Sequence, residues 1–309
     1  MIKTVTQVTL PVDERLAIQK NHLEPEQGSN GKRISIVTGI HGDELEGQFV
    51  CYELIRRIKE QPECLKGIVD VYPAINPFGI SSVSRGIPAC DLDMNRIFPG
   101  RSDGDMNEYI VSEFIKDLEG SDLCMDIHAS NIYLTEVPQI RINELHRDMV
   151  LPYAKLANVD FIWIHAASTV LEATLAYTMN SRKVPTLVVE MGVGMRITKA
   201  YGHQLVDGIF SLMKEMGIWS GETAEVRKPV VSDKGDDVVF MNAPVSGVFI
   251  KDMEHGTHVE PGMRIGSIVD PLQGELLSEV ISPVKGWLFT IREYPMVDEG
   301  SLMARILKE

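Results

Sequence analysis

The sequence predicts an α/β protein: a mixed, largely parallel sheet flanked by helices over residues 1–225, followed by an all-β module over residues 226–309. Three observations lead there. Continuous apolar, β-branched runs of strand length recur up to residue 192. Segments of helical periodicity alternate with some of them, which implies βαβ units, and parallel strands buried on both faces read as unbroken hydrophobic runs. Beyond residue 230 the texture changes to short β runs broken by glycine and proline.

In chain order, residues 1–32 are polar, with Pro11, Pro25 and the run EQGSNGK, and are read as an N-terminal segment with one edge strand. ISIVTGI (34–40) is the first core strand, ended by Gly39. GQFVCYELIRRIKE (47–60) is a helix, with Phe49, Leu54 and Ile58 near one face. GIVDVYPAIN (67–76) is the second strand, and the following 76–100 shows neither a core-strand nor a helix pattern. NEYIVSEFIKDLEG (107–120) is a helix stopped by Gly120. DLCMDIHAS (122–130), VDFIWIHA (159–166) and VPTLVVEMG (184–192) complete the strands, and YGHQLVDGIFSLMKEMGI (201–218) is the last helix. SGETAEVRKP (220–229) is a linker.

The β module carries an internal repeat. APVSGVF (243–249) is echoed by SPVKGWLF (282–289), and VEPG (259–262) by VDEG (297–300). Offsets of 39 residues between Pro244 and Pro283 and 38 between Gly262 and Gly300 imply two similar halves. The pattern resembles the barrel-sandwich fold of biotinyl and lipoyl carrier domains. Those carry a lysine on the hairpin between the halves, whereas the comparable turn here, DPLQGE (270–275), has none. That removes a swinging-arm role and leaves a structural or site-covering module.

Composition bounds the partners. The chain has 309 residues, 30 basic against 44 acidic, a net charge of −14. Nucleic acid and anionic membrane surfaces both require a basic face and are set aside. No apolar run approaches membrane-spanning length, and MIKTVTQVTLPVDER lacks an apolar signal region. Cys51, Cys64, Cys90 and Cys124 are scattered without a C-x-x-C pair, which reads as reduced thiols in a cytoplasmic protein. Homo-oligomerisation stays open.

The chemistry-bearing residues fall at strand ends. His41 lies just past the first core strand, in Gly-Ile-His-Gly-Asp-Glu, with Glu44 three residues on. His128 ends another strand, 87 residues after His41. Two imidazoles and a carboxylate match a catalytic zinc site, which uses three protein ligands and keeps a position for water. A lone histidine beside an apolar strand is more often a packed residue; it is the combination that points to metal. Glu190 follows Leu-Val-Val at a fourth strand end, where burial raises a carboxyl pKa toward the range useful for proton transfer. A helix cap or a structural ion pair is the alternative. The 76–100 loop adds Arg85, Asn95 and Arg96, with Asp91 and Asp93 nearby. Arginine suits bidentate carboxylate recognition, and solvated pairs with those aspartates are the other reading.

Together GIHGDE, NPFG, Arg85 with the Asp-Leu-Asp-Met-Asn95-Arg96-x-Phe-Pro-Gly run, Asp-Ile-His128 and Val-Glu190-x-Gly resemble the succinylglutamate desuccinylase/aspartoacylase family, a branch of the zinc carboxypeptidase-like superfamily. The likeness spans roughly residues 34–192, and the C-terminal β module is similar to the one this family appends. It implies one zinc ion held by His41, Glu44 and His128, with Glu190 as general base and acid. It also implies Arg85 as an oxyanion-side catalytic group, and Asn95 and Arg96 as holders of a substrate carboxylate. The expected reaction is hydrolysis of the amide bond of a small anionic N-acyl amino acid. A carboxypeptidase acting on short peptides and a non-catalytic zinc or acyl-ligand binding protein are the alternatives. The family uses further arginines and a tyrosine toward the substrate; Arg141, Arg182 and Tyr294 are the residues available for this, and His165 ends a strand near the site. Asp43 and Asp126, flanking the proposed ligands, are read either as supports for an imidazole N–H or as structural hydrogen-bonding groups.

Overall fold

The structure is a computed structural model that describes residues 1–88, 90–166, 168, 171–233 and 236–309. Its N-terminal segment is a hairpin rather than one strand: β1 (Ile2–Thr9) pairs antiparallel with β2 (Arg15–Leu23), and β2 continues onto the core sheet. Polar residues on both strands, including the buried Lys20, hide this hairpin from a hydrophobic pattern. Then follow β3 (Arg33–Thr38), α1 (Glu46–Glu60), β4 (Ile68–Tyr72), α2 (Pro77–Ser82), α3 (Met106–Leu118) and β5 (Leu123–Ala129). Next come β6 (Leu134–Asn143), α4 (Arg147–Ala154), β7 (Phe161–His165), α5 (Leu175–Ser181), β8 (Thr186–Gly192) and α6 (Lys199–Glu215).

Four of these elements, α2, β6, α4 and α5, have no counterpart in the sequence reading. The segment 76–100, expected to lack helix, contains α2: Asn76 accepts from the Gly79 N–H at 2.9 Å, and Pro77 takes a first-turn position where its missing N–H costs nothing. The ten-residue strand β6 is interrupted by Pro138, and its register against β8 shifts between Glu136 and Gln139. A proline that cannot donate to the ladder is tolerated at such a bulge, but it breaks the pattern by which strands are recognised.

The sheet is mixed. Its middle, β4–β3–β5–β8, is parallel, and β6 joins β8 antiparallel. Helices cover both faces. Val50, Leu54 and Ile58 of α1 and Leu205 and Ile209 of α6 pack with Ile36 and Met125 in one cluster. On the other face Ile110, Phe114 and Ile115 of α3 pack with Val37 and Tyr72. Asp105 and Glu108 form a capping box that starts α3.

The remaining strands are β9 (Val230–Ser232), β10 (Val238–Asn242), β11 (Gly247–Lys251), β12 (Thr257–Val259), β13 (Arg264–Asp270), β14 (Glu275–Ile281), β15 (Gly286–Arg292), β16 (Met296–Val297) and β17 (Leu302–Lys308). A separate antiparallel sheet runs β14–β13–β11–β16, while β10, β17, β15 and β12 form the matching set. The repeat seen in the sequence is thus a strand exchange. β12 of the first half pairs with β15 of the second, and β16 of the second pairs with β11 of the first. The registers correspond: Gly247 faces Val297, and Gly286 faces Val259. Phe249, Ile268, Leu288 and Ile306 fill the space between the layers. β15 also pairs antiparallel with β6, with Thr290 opposite Glu136, so the core sheet continues into this module.

Lys20 shows how the edge of the sheet is held. Its ammonium, with a side chain 7% exposed, lies 2.9 Å from the fully buried Asp70 and 2.7 Å from Asp117 of α3. Removing one partner of a buried pair leaves an uncompensated charge. Lys20→Met is therefore expected to cost about 3–5 kcal/mol in urea unfolding. Lys32→Met, which breaks only the exposed pair with Asp122, is expected to leave stability near wild type in the same measurement.

Candidate metal centre and cavity

Three neighbouring parallel strands deliver the central side chains. In register, Thr38 of β3 lies beside Ile127 of β5, and His128 beside Glu190 of β8. His41 follows three residues after β3 ends, in a loop whose glycines are sterically required. Gly39 has φ +71°, and a Cβ there would meet the Pro73 carbonyl oxygen at 2.7 Å. A Cβ on Gly42 would fall 1.9 Å from the carbonyl carbon of Gly79. The GIHGDE loop thus rests backbone to backbone on the start of α2, and the Gly42 N–H donates to the Ser84 carbonyl at 3.1 Å.

His41, Glu44 and His128 are all buried, and one ligand atom of each lies within 4.8 Å of the others. His41 Nδ1 stands 2.9 Å from Glu44 Oε1, and His128 Nδ1 stands 2.9 Å from Glu44 Oε2. On the far sides of the rings, His41 Nε2 meets Asp93 Oδ1 at 3.0 Å, and His128 Nε2 lies 3.1 Å from Asp126 Oδ2, off the line of a good hydrogen bond. An imidazole whose Nε2–H serves an aspartate turns its Nδ1 lone pair inward. Such a lone pair on His41 Nδ1, facing the Glu44 carboxylate, needs cationic charge between them. His41 Nδ1 is buried and makes no aligned hydrogen bond, despite its short approach to Glu44. The donor set and this unsatisfied atom fit a divalent ion with an open coordination position.

Electrostatically the three groups depend on one another. Burial opposes the charge on Glu44, yet the two imidazoles hold its carboxyl well below the usual range. Burial likewise works against charge on His41 and His128, but Glu44 with Asp93 raises the first, and Asp126 with Glu44 raises the second well above its ordinary value.

Glu190 has the opposite character. Burial pushes its carboxyl up to about 7, only partly countered by Arg141 and His128. Arg141 of β6 places Nη1 3.3 Å from Glu190 Oε1, and its Nη2 donates to both oxygens of the fully buried Glu136 at 3.0 and 2.7 Å. All these groups except Glu136 and Asp93 line a cavity of about 510 Å³, together with Arg85, Asn95 and Arg96.

A sequence profile of the succinylglutamate desuccinylase/aspartoacylase catalytic domain matches residues 30–216, more than half of the chain. The chain belongs to this family. Among its desuccinylase/aspartoacylase relatives is the N-alpha-acetyl-L-2,4-diaminobutyric acid deacetylase of Halomonas elongata, 24% identical over 281 residues that cover 89% of this chain and 78% of the relative. The fold is shared with the ectoine utilization protein EutE (DoeB) from Ruegeria pomeroyi in its product-bound form (TM-score 0.83, 18% identity, 100% of this chain and 95% of that one). It is shared equally with a succinylglutamate desuccinylase/aspartoacylase from Rhodobacter sphaeroides (TM-score 0.82, 22% identity, 100% and 96%).

Against that family background, the residues singled out in the sequence divide. His41, Glu44, His128, Glu190, Arg85, Asn95 and Arg96 converge on one cavity. Arg85 donates to Glu44 Oε1 at 2.9 Å and approaches Asp93 at 3.5 Å, so its guanidinium supports the triad. The Asn95 carboxamide oxygen accepts from the Leu175 N–H at 2.9 Å and fixes the start of α5. Arg96 is exposed, donates to the Asn95 carbonyl at 2.8 Å, and has no carboxylate partner among the described residues. Arg141 and His165 reach the cavity; Arg182 is paired with Glu119 elsewhere. Tyr294 packs edge-on at 5.6 Å behind Tyr133, a wall residue. Asp126 stands at an imidazole as one reading held, whereas Asp43 receives the Met195 N–H on its backbone carbonyl. Asp93 was missed: the sequence shows it only as a neighbour of two arginines, and its approach to His41 spans 52 residues. Gly42→Ala tests the loop contact. The overpacked backbone is expected to cost about 1–3 kcal/mol in thermal unfolding.

Proposed function

We propose that this chain is a zinc-dependent deacylase that hydrolyses the amide bond of a small N-acylated amino acid. The observation that carries the reading is the pairing of a buried His–Glu–His donor set with a separate half-buried carboxylate whose pKa is pushed up to about 7. His41, Glu44 and His128 would hold the ion, with Asp93 and Asp126 bracing the two rings. A bound zinc ion supplies Lewis acidity, which lowers the pKa of water and polarises an acyl carbonyl.

The chain's own groups do the rest. Glu190, as carboxylate, takes a proton from the attacking water and returns it to the leaving amine. Arg85 faces the carbonyl oxygen as negative charge develops there. Arg96, without a carboxylate partner among the described residues, and Asn95 hold the substrate carboxylate. The β module, residues 226–309, contributes part of the cavity wall through Arg305 and so restricts what enters. An N-acetylated diamino acid is the amine side suggested by the Halomonas relative. A panel of acetyl-, succinyl- and longer-acyl amino acids, with short peptides as the comparison and with and without chelator, tests the reading. Turnover of peptides alone, or of nothing while zinc is bound, would sink it.

Three outcomes are expected. Glu190→Gln should keep one zinc per chain and lose on the order of 10²–10⁴-fold in kcat. In the wild type kcat/KM should fall as pH drops below about 7, because Glu190 must be deprotonated to accept a proton. A nearby dication moves that limb lower, never higher. Asp93→Asn should weaken zinc binding about 10–100-fold in a competition titration, with the fold intact by circular dichroism.

A further inference from the structure

The cavity wall includes one residue from the last strand of the chain. Arg305 of β17 donates through Nη1 to Glu136 Oε1, the oxygen that also accepts from Arg141 and from the Thr290 hydroxyl at 3.0 Å. Glu136 is completely buried, and the Arg305 side chain is 14% exposed. Both guanidinium groups lie over the Trp163 ring, Arg141 at 5.8 Å and Arg305 at 5.7 Å from its centre. The result is an alternating line of charge, Arg305–Glu136–Arg141–Glu190, running from the β module to the proposed base.

We infer that Arg305 is a positioning residue of the active site: through Glu136 it sets where the Arg141 guanidinium stands against Glu190. The physical reason is competition for one anion. Glu136 cannot leave its place, because Thr290 and Arg305 hold it from the β-module side and its strand position is locked opposite Thr290. With Arg305 present, the Glu136 charge is shared between two cations, and Arg141 keeps one amino group free to face Glu190. Without Arg305, the carboxylate has Arg141 as its only ionic partner and draws it inward, away from Glu190. Two like-charged guanidinium groups over one indole also need an anion between them, which Glu136 provides. The inference rests on the reading of Glu190 as the proton-transfer group.

Kinetics with bound-metal analysis tests this. Arg305→Met is expected to lower kcat about tenfold or more, the scale of a small misplacement in an active site, with KM and zinc content near wild type. Arg305→Lys should recover part of the loss. Adding Arg305→Met to Arg141→Met should slow turnover no further than Arg141→Met alone, since Arg305 acts through Arg141. Effects that multiply, or an unchanged kcat in Arg305→Met, overturn the proposal. Should Arg305→Met not fold, Thr290→Val carries the same test. It is expected to lower kcat severalfold in the wild-type background and not at all in the Arg141→Met background; an equal loss in both, or no loss in either, overturns it. Arg264→Met, in an exposed pair with Asp252 on the same module, should leave kcat unchanged. Retained turnover in Glu190→Gln would instead strike at the base assignment and leave the coupling between Arg305 and Arg141 to be read separately.

Discussion

The Glu44 carboxylate is the constraint on which the site is built. A carboxylate 4% exposed cannot remain ionised unless donors and cations surround it. Here four groups from three places in the chain do so: the two imidazoles, the Ala129 N–H at 3.2 Å and the Arg85 guanidinium at 2.9 Å. Each of these must arrive at the same point. β5 must end beside β3, the 76–100 loop must fold back over the triad, and Gly42 must let the loop lie on α2. The stability of the fold and the charge state of the site are the same arrangement viewed twice.

The second carboxylate shows what burial does without that enclosure. Glu190 meets Arg141 at 3.3 Å, and its pKa rises rather than falls. Two acids lining one cavity are thereby given opposite charge behaviour by their surroundings. The difference depends on β6, the strand that brings both Arg141 and Glu136.

How much of this was legible follows from range and regularity. The strands from β3 to β8 other than β6 were readable because they are unbroken apolar runs, and the triad was readable because its residues sit where those runs stop. The repeat around Pro244 and Pro283 was visible too, since the exchanged strands keep a constant offset. β6 was hidden by Pro138, and the N-terminal hairpin by its polar faces. Asp93 and Arg305 were hidden for another reason: nothing local distinguishes them. Arg305 finds Glu136 across 169 residues, and only the pairing of β15 with β6 brings them together.

That pairing also decides how a substrate can enter. Enzymes that close over their ligands usually do so at a hinge, where a few loop residues take up the motion. Here the module that supplies Arg305 is hydrogen-bonded into the sheet whose strands lead to His41 and His128, so swinging it aside would tear backbone bonds between β15 and β6. That side of the cavity is therefore fixed to the sheet, and a ligand meets there the size and charge of side chains held in place rather than a moving domain.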